Sequence, residues 1–98
     1  MNYEREILLI LREAGSKGLP VRRIALNVFN MTNSLFMPLN MEDVYTDVSE
    51  WLRTKSQYSS SSVEKAETRG WYRLNMNSNE VQQLLLEFQP SDEDEWMM

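Results

Sequence analysis

The chain has no cysteine, no histidine, and only three glycines and three prolines among its 98 residues. Without cysteine there is no disulfide scaffold and no thiolate zinc site. Without histidine the commonest metal ligand and the commonest general base are both missing. Glycines at 15, 18 and 70 cannot make a glycine-rich phosphate loop. No apolar run approaches the roughly 18 residues of a membrane span, and Met-Asn-Tyr-Glu-Arg-Glu is not a signal-peptide start. These absences point to a cytoplasmic binding domain with no cofactor, no metal and no membrane partner. What is present is ordinary for a globular domain: 42% hydrophobic and 26% charged residues. The length suits a single domain, which typically runs to about 100–150 residues.

The formal charge of −5 is unevenly distributed. Asp92, Glu93, Asp94 and Glu95 carry four negative charges beyond Pro90, while residues 1–90 hold ten Lys/Arg against eleven Asp/Glu. Between 53 and 73, Arg53, Lys55, Lys65, Arg69 and Arg73 outweigh Glu64 and Glu67. The expected organisation is a nearly neutral domain over 1–90 with a basic region, followed by an acidic tail at 91–98. Segregation of this kind makes whole-chain pI a poor guide to partners.

Hydrophobic spacing predicts a first helix, capped by Asn2 and running to about Ala14, with Ile7, Ile10, Leu11 and Ala14 as its buried stripe. Gly15-Ser16-Lys17-Gly18 should end it, glycine taking the left-handed cap conformation. Pro20 suits the first turn of a second helix, whose Val21, Ile24, Ala25, Val28 and Phe29 share one side. Residues 30–40 form a connector containing Leu35, Phe36, Met37 and Leu39 around Pro38. Asn40 is a good cap for a third helix bearing Met41, Val44, Tyr45, Val48, Trp51, Leu52 and Lys55 at helical spacing. After the serines at 59–62 the period changes. Gly70-Trp71-Tyr72-Arg73-Leu74 alternates like a strand, with Thr68-Arg69-Gly70 as the turn of a hairpin. A last helix over about 79–89 carries Val81, Leu84, Leu85 and Phe88 and stops at Pro90.

In order and spacing, Gly18-Leu19-Pro20-Val21-Arg22-Arg23-Ile24-Ala25, the striped third helix ending Trp51-Leu52, and Gly70-Trp71-Tyr72-Arg73-Leu74 resemble the winged helix-turn-helix superfamily over about residues 2–75. The resemblance implies a mainly α fold with a small β-hairpin: a three-helix bundle plus wing, with a C-terminal helix added. The connector at 30–40 is longer than the tight turn of that family. The resemblance also implies a transcription-regulator-like DNA association, and a homodimer through helices one and four, where Leu8, Leu9, Leu85 and Leu86 extend the stripes. The alternative is that these two helices cover each other within one chain.

Two surfaces are candidates for function. In the family the third helix is presented to the major groove, but here its outward residues are Glu42, Asp43, Thr46, Asp47, Ser49, Glu50 and Arg53. Four carboxylates would be repelled by a duplex carrying one charge per ~1.7 Å of axis. That helix is either a solvated flank or a surface for a basic protein partner. The hairpin favours nucleic acid more. The winged-helix pattern buries Tyr72 and Leu74, leaving Trp71 and Arg73 outside with Lys65 and Arg69 nearby and Arg53 and Lys55 at the end of the third helix. An aromatic flanked by cations can stack on a base or sugar while neutralising phosphate, and it can equally anchor a protein; the alternative is that Trp71 packs on the third or fourth helix and the arginines are solvated. In the connector, Leu35, Phe36, Met37 and Leu39 either tuck beneath the helices or form an apolar docking patch.

The tail joins four acids to Trp96-Met97-Met98; it reads as a solubilising end, a docking peptide or a phosphate mimic that folds onto the wing. It lacks the glycine and spacing of a calcium loop. Catalysis is not expected: serines 59–62 have no histidine to activate them, and the carboxylate pair Glu42 and Asp43 falls on exposed helix. The expected function is therefore a non-catalytic module that binds duplex DNA or, alternatively, a protein.

Overall fold

The computed structural model describes residues 3–35 and 37–87; Asn2, Phe36, Phe88, Pro90 and the acidic run at 92–95 lie outside the described residues. The chain is mainly helical with a small three-stranded antiparallel sheet. In chain order the elements are α1 (Glu4–Ala14), β1 (Leu19–Pro20), α2 (Val21–Thr32), α3 (Met41–Lys55), β2 (Val63–Lys65), β3 (Trp71–Leu74) and α4 (Asn79–Glu87). None of these helices is long and apolar enough to cross a membrane.

The periodic stripes become the core. Ile7, Leu8, Ile10 and Leu11 of α1 pack with Ile24, Ala25 and Val28 of α2 and with Val44, Val48 and Leu52 of α3. The same cluster takes in Val63, Tyr72 and Leu74 from the sheet and Val81 and Leu84 from α4. The most extensive packing is between α2 and α3. Fully burying each Leu, Ile or Val contributes about 1.5–3 kcal/mol, so these side chains supply most of the driving force for folding.

Two details at α1 differ from expectation. Tyr3 occupies the cap position and makes no side-chain cap bond. Gly15 has the positive φ expected of a cap, 77°, but its ψ of −162° is extended rather than left-handed helical. The chain therefore leaves α1 through a 3-10 turn at Gly15–Lys17. Gly18 then repeats the conformation, with φ 80° and ψ −165°, a region open essentially to glycine alone. A Cβ at Gly18 would also collide with the carbonyl oxygen of Tyr72.

That close approach marks a third strand absent from the hairpin expectation. The sheet order is β1-β3-β2, with Leu19 opposite Tyr72, Pro20 opposite Trp71, and Val63, Glu64 and Lys65 opposite Leu74, Arg73 and Tyr72. Pro20 is the last residue of this edge strand and the residue preceding α2, instead of lying in the first helical turn. A proline is tolerated there because an edge position requires no ladder donor. The next amide, Val21 N–H, donates to the carbonyl of Gly70 at 3.3 Å, tying the start of α2 to the hairpin turn.

Asn40 caps α3 as its sequence position indicates, its Oδ1 accepting from the amides of Glu42 at 2.8 Å and Asp43 at 3.2 Å. The serine stretch that follows α3 is explained by one buried residue, Asn75. Its Nδ2 donates to the carbonyls of Ser59 at 2.9 Å and Ser61 at 2.8 Å, and its Oδ1 accepts from Asn77 N–H at 3.0 Å. Small side chains let this loop wrap the amide closely. Ser78 Oγ accepts from Val81 N–H at 3.4 Å at the start of α4. Leu8 and Leu84 are both buried within this single chain, Leu9 and Leu85 pack partly against the core, and Leu86 is exposed.

Candidate nucleic-acid interface

The hairpin turn is built around glycine. Gly70 has φ 83°, Trp71 N–H donates to the carbonyl of Thr68 at 3.0 Å, and Ala66 N–H donates to the carbonyl of Trp71 at 2.9 Å. This closure leaves Arg69 exposed at the tip. The alternation expected in β3 is present: Tyr72 and Leu74 are buried, while Trp71 and Arg73 are half-buried on the other face.

Arg73 does not project freely from that face. Its Nε donates to Glu64 Oε2 at 2.8 Å, and its Nη1 donates to the carbonyl oxygen of Ser16 at 3.3 Å. The register sets Glu64 directly opposite Arg73, so both project from one face and meet without distortion. Arg73 thereby ties three segments together, β3, β2 and the 3-10 turn. Lys65 stands opposite Tyr72 in the same register, so it projects toward the Tyr72 face at the exposed end of β2 and not alongside Trp71 and Arg73.

Trp71 has a cation that the sequence reading omits. Lys17 Nζ lies 5.9 Å from the centroid of the Trp71 ring, at the limit of a cation–π contact. Lys17 is far from Trp71 in sequence; strand β1 and the Arg73–Ser16 hydrogen bond set the turn against β3. The same strand brings Arg22 and Arg23, both exposed in the first turn of α2, next to the hairpin through the Val21–Gly70 hydrogen bond. Arg53 and Lys55 are exposed at the last turn of α3.

The two ion pairs formed within the described residues are Arg73 with Glu64 and Arg12 with Glu13 at 3.6 Å. Lys17, Arg22, Arg23, Arg53, Lys55, Lys65 and Arg69 form no ion pair with any described residue. Four of these seven cations, Arg22, Arg23, Lys65 and Arg69, belong to the start of α2 and the hairpin, which are joined at Gly70, while the 3-10 turn lies at the other end of β3, beside Arg73, and extends the Lys17 ammonium to Trp71. Glu64 and Glu67 are the acids on the hairpin, and Glu64 is already engaged.

The outward side of α3 is acidic as expected, with Glu42, Asp43 and Glu50 exposed and Asp47 partly so. In the connector, Leu39 packs partly against the core, but Leu35 is 95% and Met37 75% exposed. The tucked arrangement therefore holds for Leu39 and fails for Leu35 and Met37. Their backbones are fixed by local polar bonds: Met37 N–H donates to Ser34 Oγ at 3.0 Å and Leu39 N–H to Asn33 Oδ1 at 2.6 Å. These bonds hold the chain in an outward loop.

Ser62 and Lys65 have a Ser-x-x-Lys spacing, which in helical form can pair a nucleophile with its base. Here they bracket an extended segment, where residues three apart face opposite sides. Ser62 is buried and Lys65 exposed, so the pair does not assemble. Among the described residues no group of three or more carboxylates is placed to hold a metal ion.

No protein-family model, curated protein or solved structure matches this chain.

Proposed function

We propose that this chain is a non-catalytic, winged-helix-type module that associates with duplex DNA through the basic edge around Gly70. The observation that carries the reading is that Arg22, Arg23 and Arg69 stand on the two segments joined at Gly70, with the Lys17 ammonium reaching the Trp71 ring beside them, and that none has a carboxylate partner among the described residues. Cations left unpaired cost little in water, but gathered at one edge they create a local positive potential in a nearly neutral domain. A polyanion is the natural partner of that potential, because each phosphate it neutralises releases a condensed counterion. The helix order and the β1-β3-β2 sheet support the winged-helix assignment.

In this reading the hairpin and the start of α2 contact the phosphate backbone, and Trp71 with Lys17 lies against a sugar. The outward side of α3 stays out of the groove, because its four carboxylates have no cations interleaved with them. Contacts of this kind position a protein on DNA without strong sequence selection. Titration of a short duplex into the isotopically labelled chain tests the assignment. The expected shifts are at Lys17, Arg22, Arg23, Arg69, Gly70 and the Trp71 indole. Shifts concentrated on the outward side of α3, or none at millimolar duplex and low salt, would refute it.

A further inference from the structure

We infer that Leu35 and Met37, together with the first two turns of α3, form a docking surface for a cationic amphipathic segment of a protein partner. This inference is independent of the DNA reading, since it uses neither the hairpin nor the start of α2.

The connector displays two apolar side chains to solvent. Leu35 and Met37, two positions apart, are 95% and 75% exposed. An isolated exposed leucine is common on protein surfaces and implies nothing. Here the loop is closed by Leu39 N–H on Asn33 Oδ1, and Met37 N–H is held by Ser34 Oγ. Asn33 N–H is in turn held by the carbonyl of Phe29 at the end of α2, at 2.8 Å. Both ends of the loop are therefore anchored, on α2 at one side and on Asn40, the cap of α3, at the other. Met is also a side chain suited to adaptable apolar contacts.

The charge beside the loop selects the occupant. Directly after the Asn40 cap come Glu42 and Asp43, both exposed, followed by Asp47 one turn on. None of these carboxylates is paired with a cation among the described residues. An apolar pair flanked by unpaired acids is complementary to a segment that alternates apolar and basic side chains, in which leucines meet Leu35 and Met37 while lysines or arginines meet Glu42, Asp43 and Asp47. An acidic or polyanionic partner would be repelled by the same surface.

Two synthetic peptides of identical pattern, one of leucine and lysine and one of leucine and glutamate, test this against the full chain. The leucine–lysine peptide should bind saturably and shift the amides of Leu35, Met37 and Leu39 and those at 41–47. The double variant Leu35→Ser/Met37→Ser should weaken it at least tenfold, and Glu42→Gln/Asp43→Asn several-fold. Leu35 and Met37 are solvent-facing, so these variants should keep the parent's thermal transition, which circular dichroism checks. Equal binding of the leucine–glutamate peptide would overturn the proposal. So would shifts elsewhere, or an affinity that depends on the acids but not on Leu35 and Met37. Self-association abolished by the same serine double variant would assign the loop to a second copy and equally overturn it.

Discussion

Arg73 and Glu64 face each other across β3 and β2 at 2.8 Å, and the same guanidinium reaches back to the carbonyl of Ser16. The pair is partly exposed, 29% and 39% at the two side chains, so its net contribution to stability is small, about 0–1 kcal/mol. Its effect on binding should be larger. Glu64 both neutralises Arg73 and places a negative charge beside the proposed phosphate contacts. Glu64→Gln should therefore raise duplex affinity about two- to fivefold while moving the thermal midpoint little. Fluorescence anisotropy with a labelled duplex reads the first effect and calorimetry the second.

Gly18 and Gly70 have nearly the same positive φ but different surroundings. At Gly70 a Cβ would meet open space, so Gly70→Ala should cost about 1 kcal/mol from backbone strain alone. At Gly18 the Cβ would overlap the Tyr72 carbonyl, forcing β1 away from β3. Gly18→Ala should cost about 3 kcal/mol or more. Denaturant unfolding of both variants gives the comparison directly; equal losses would mean that β1 does not pack on β3.

Asn75 is the buried polar residue that binds the serine loop to the end of β3 and the start of α4. Asn75→Ala leaves the Ser59 and Ser61 carbonyls and the Asn77 amide to find water, and should cost about 2–4 kcal/mol. For a domain of this size that lowers the thermal midpoint by roughly 10–25 °C. Hydrogen exchange should show the loss first in 59–63 and 75–81.

How much of this was legible beforehand follows from which interactions are local. The stripes of α1, α2 and α3, the Asn40 cap and the alternation of β3 are set by residues a few positions apart, and each appears where its spacing puts it. Strand β1 is not local: two residues cannot show a period, and Pro20 resembles the first residue of a helix. Its signal was the pair of glycines at 15 and 18, which read as a helix stop but also permit close approach to Tyr72. Missing β1 meant missing Lys17, Arg22 and Arg23 as neighbours of the hairpin. The partner of Arg73 was equally hidden, because the register that sets Glu64 opposite it depends on where the turn closes. Exposure of Leu35 and Met37 was open in the sequence, since an apolar run around a proline fits a covered loop as well as a displayed one.

Charge reversal on α3 separates the hairpin from the helix as the DNA-contacting element. Asp47→Lys/Glu50→Lys removes two repulsive groups and adds two attractive ones near a duplex held by the hairpin. Affinity should rise about tenfold at low salt and converge with the parent at high salt, as expected for screened interactions. A fall in affinity would mean that these carboxylates take part in DNA binding.

The most direct test of DNA association through the basic edge is the dependence of duplex affinity on salt. Three to five phosphate contacts should give a slope of log K against log salt of about −3 to −4.5, and Arg22→Ala/Arg69→Ala should flatten it by about 1.8, at 0.9 per lost contact. A parent slope near zero, or a slope unchanged in that double variant, would contradict it.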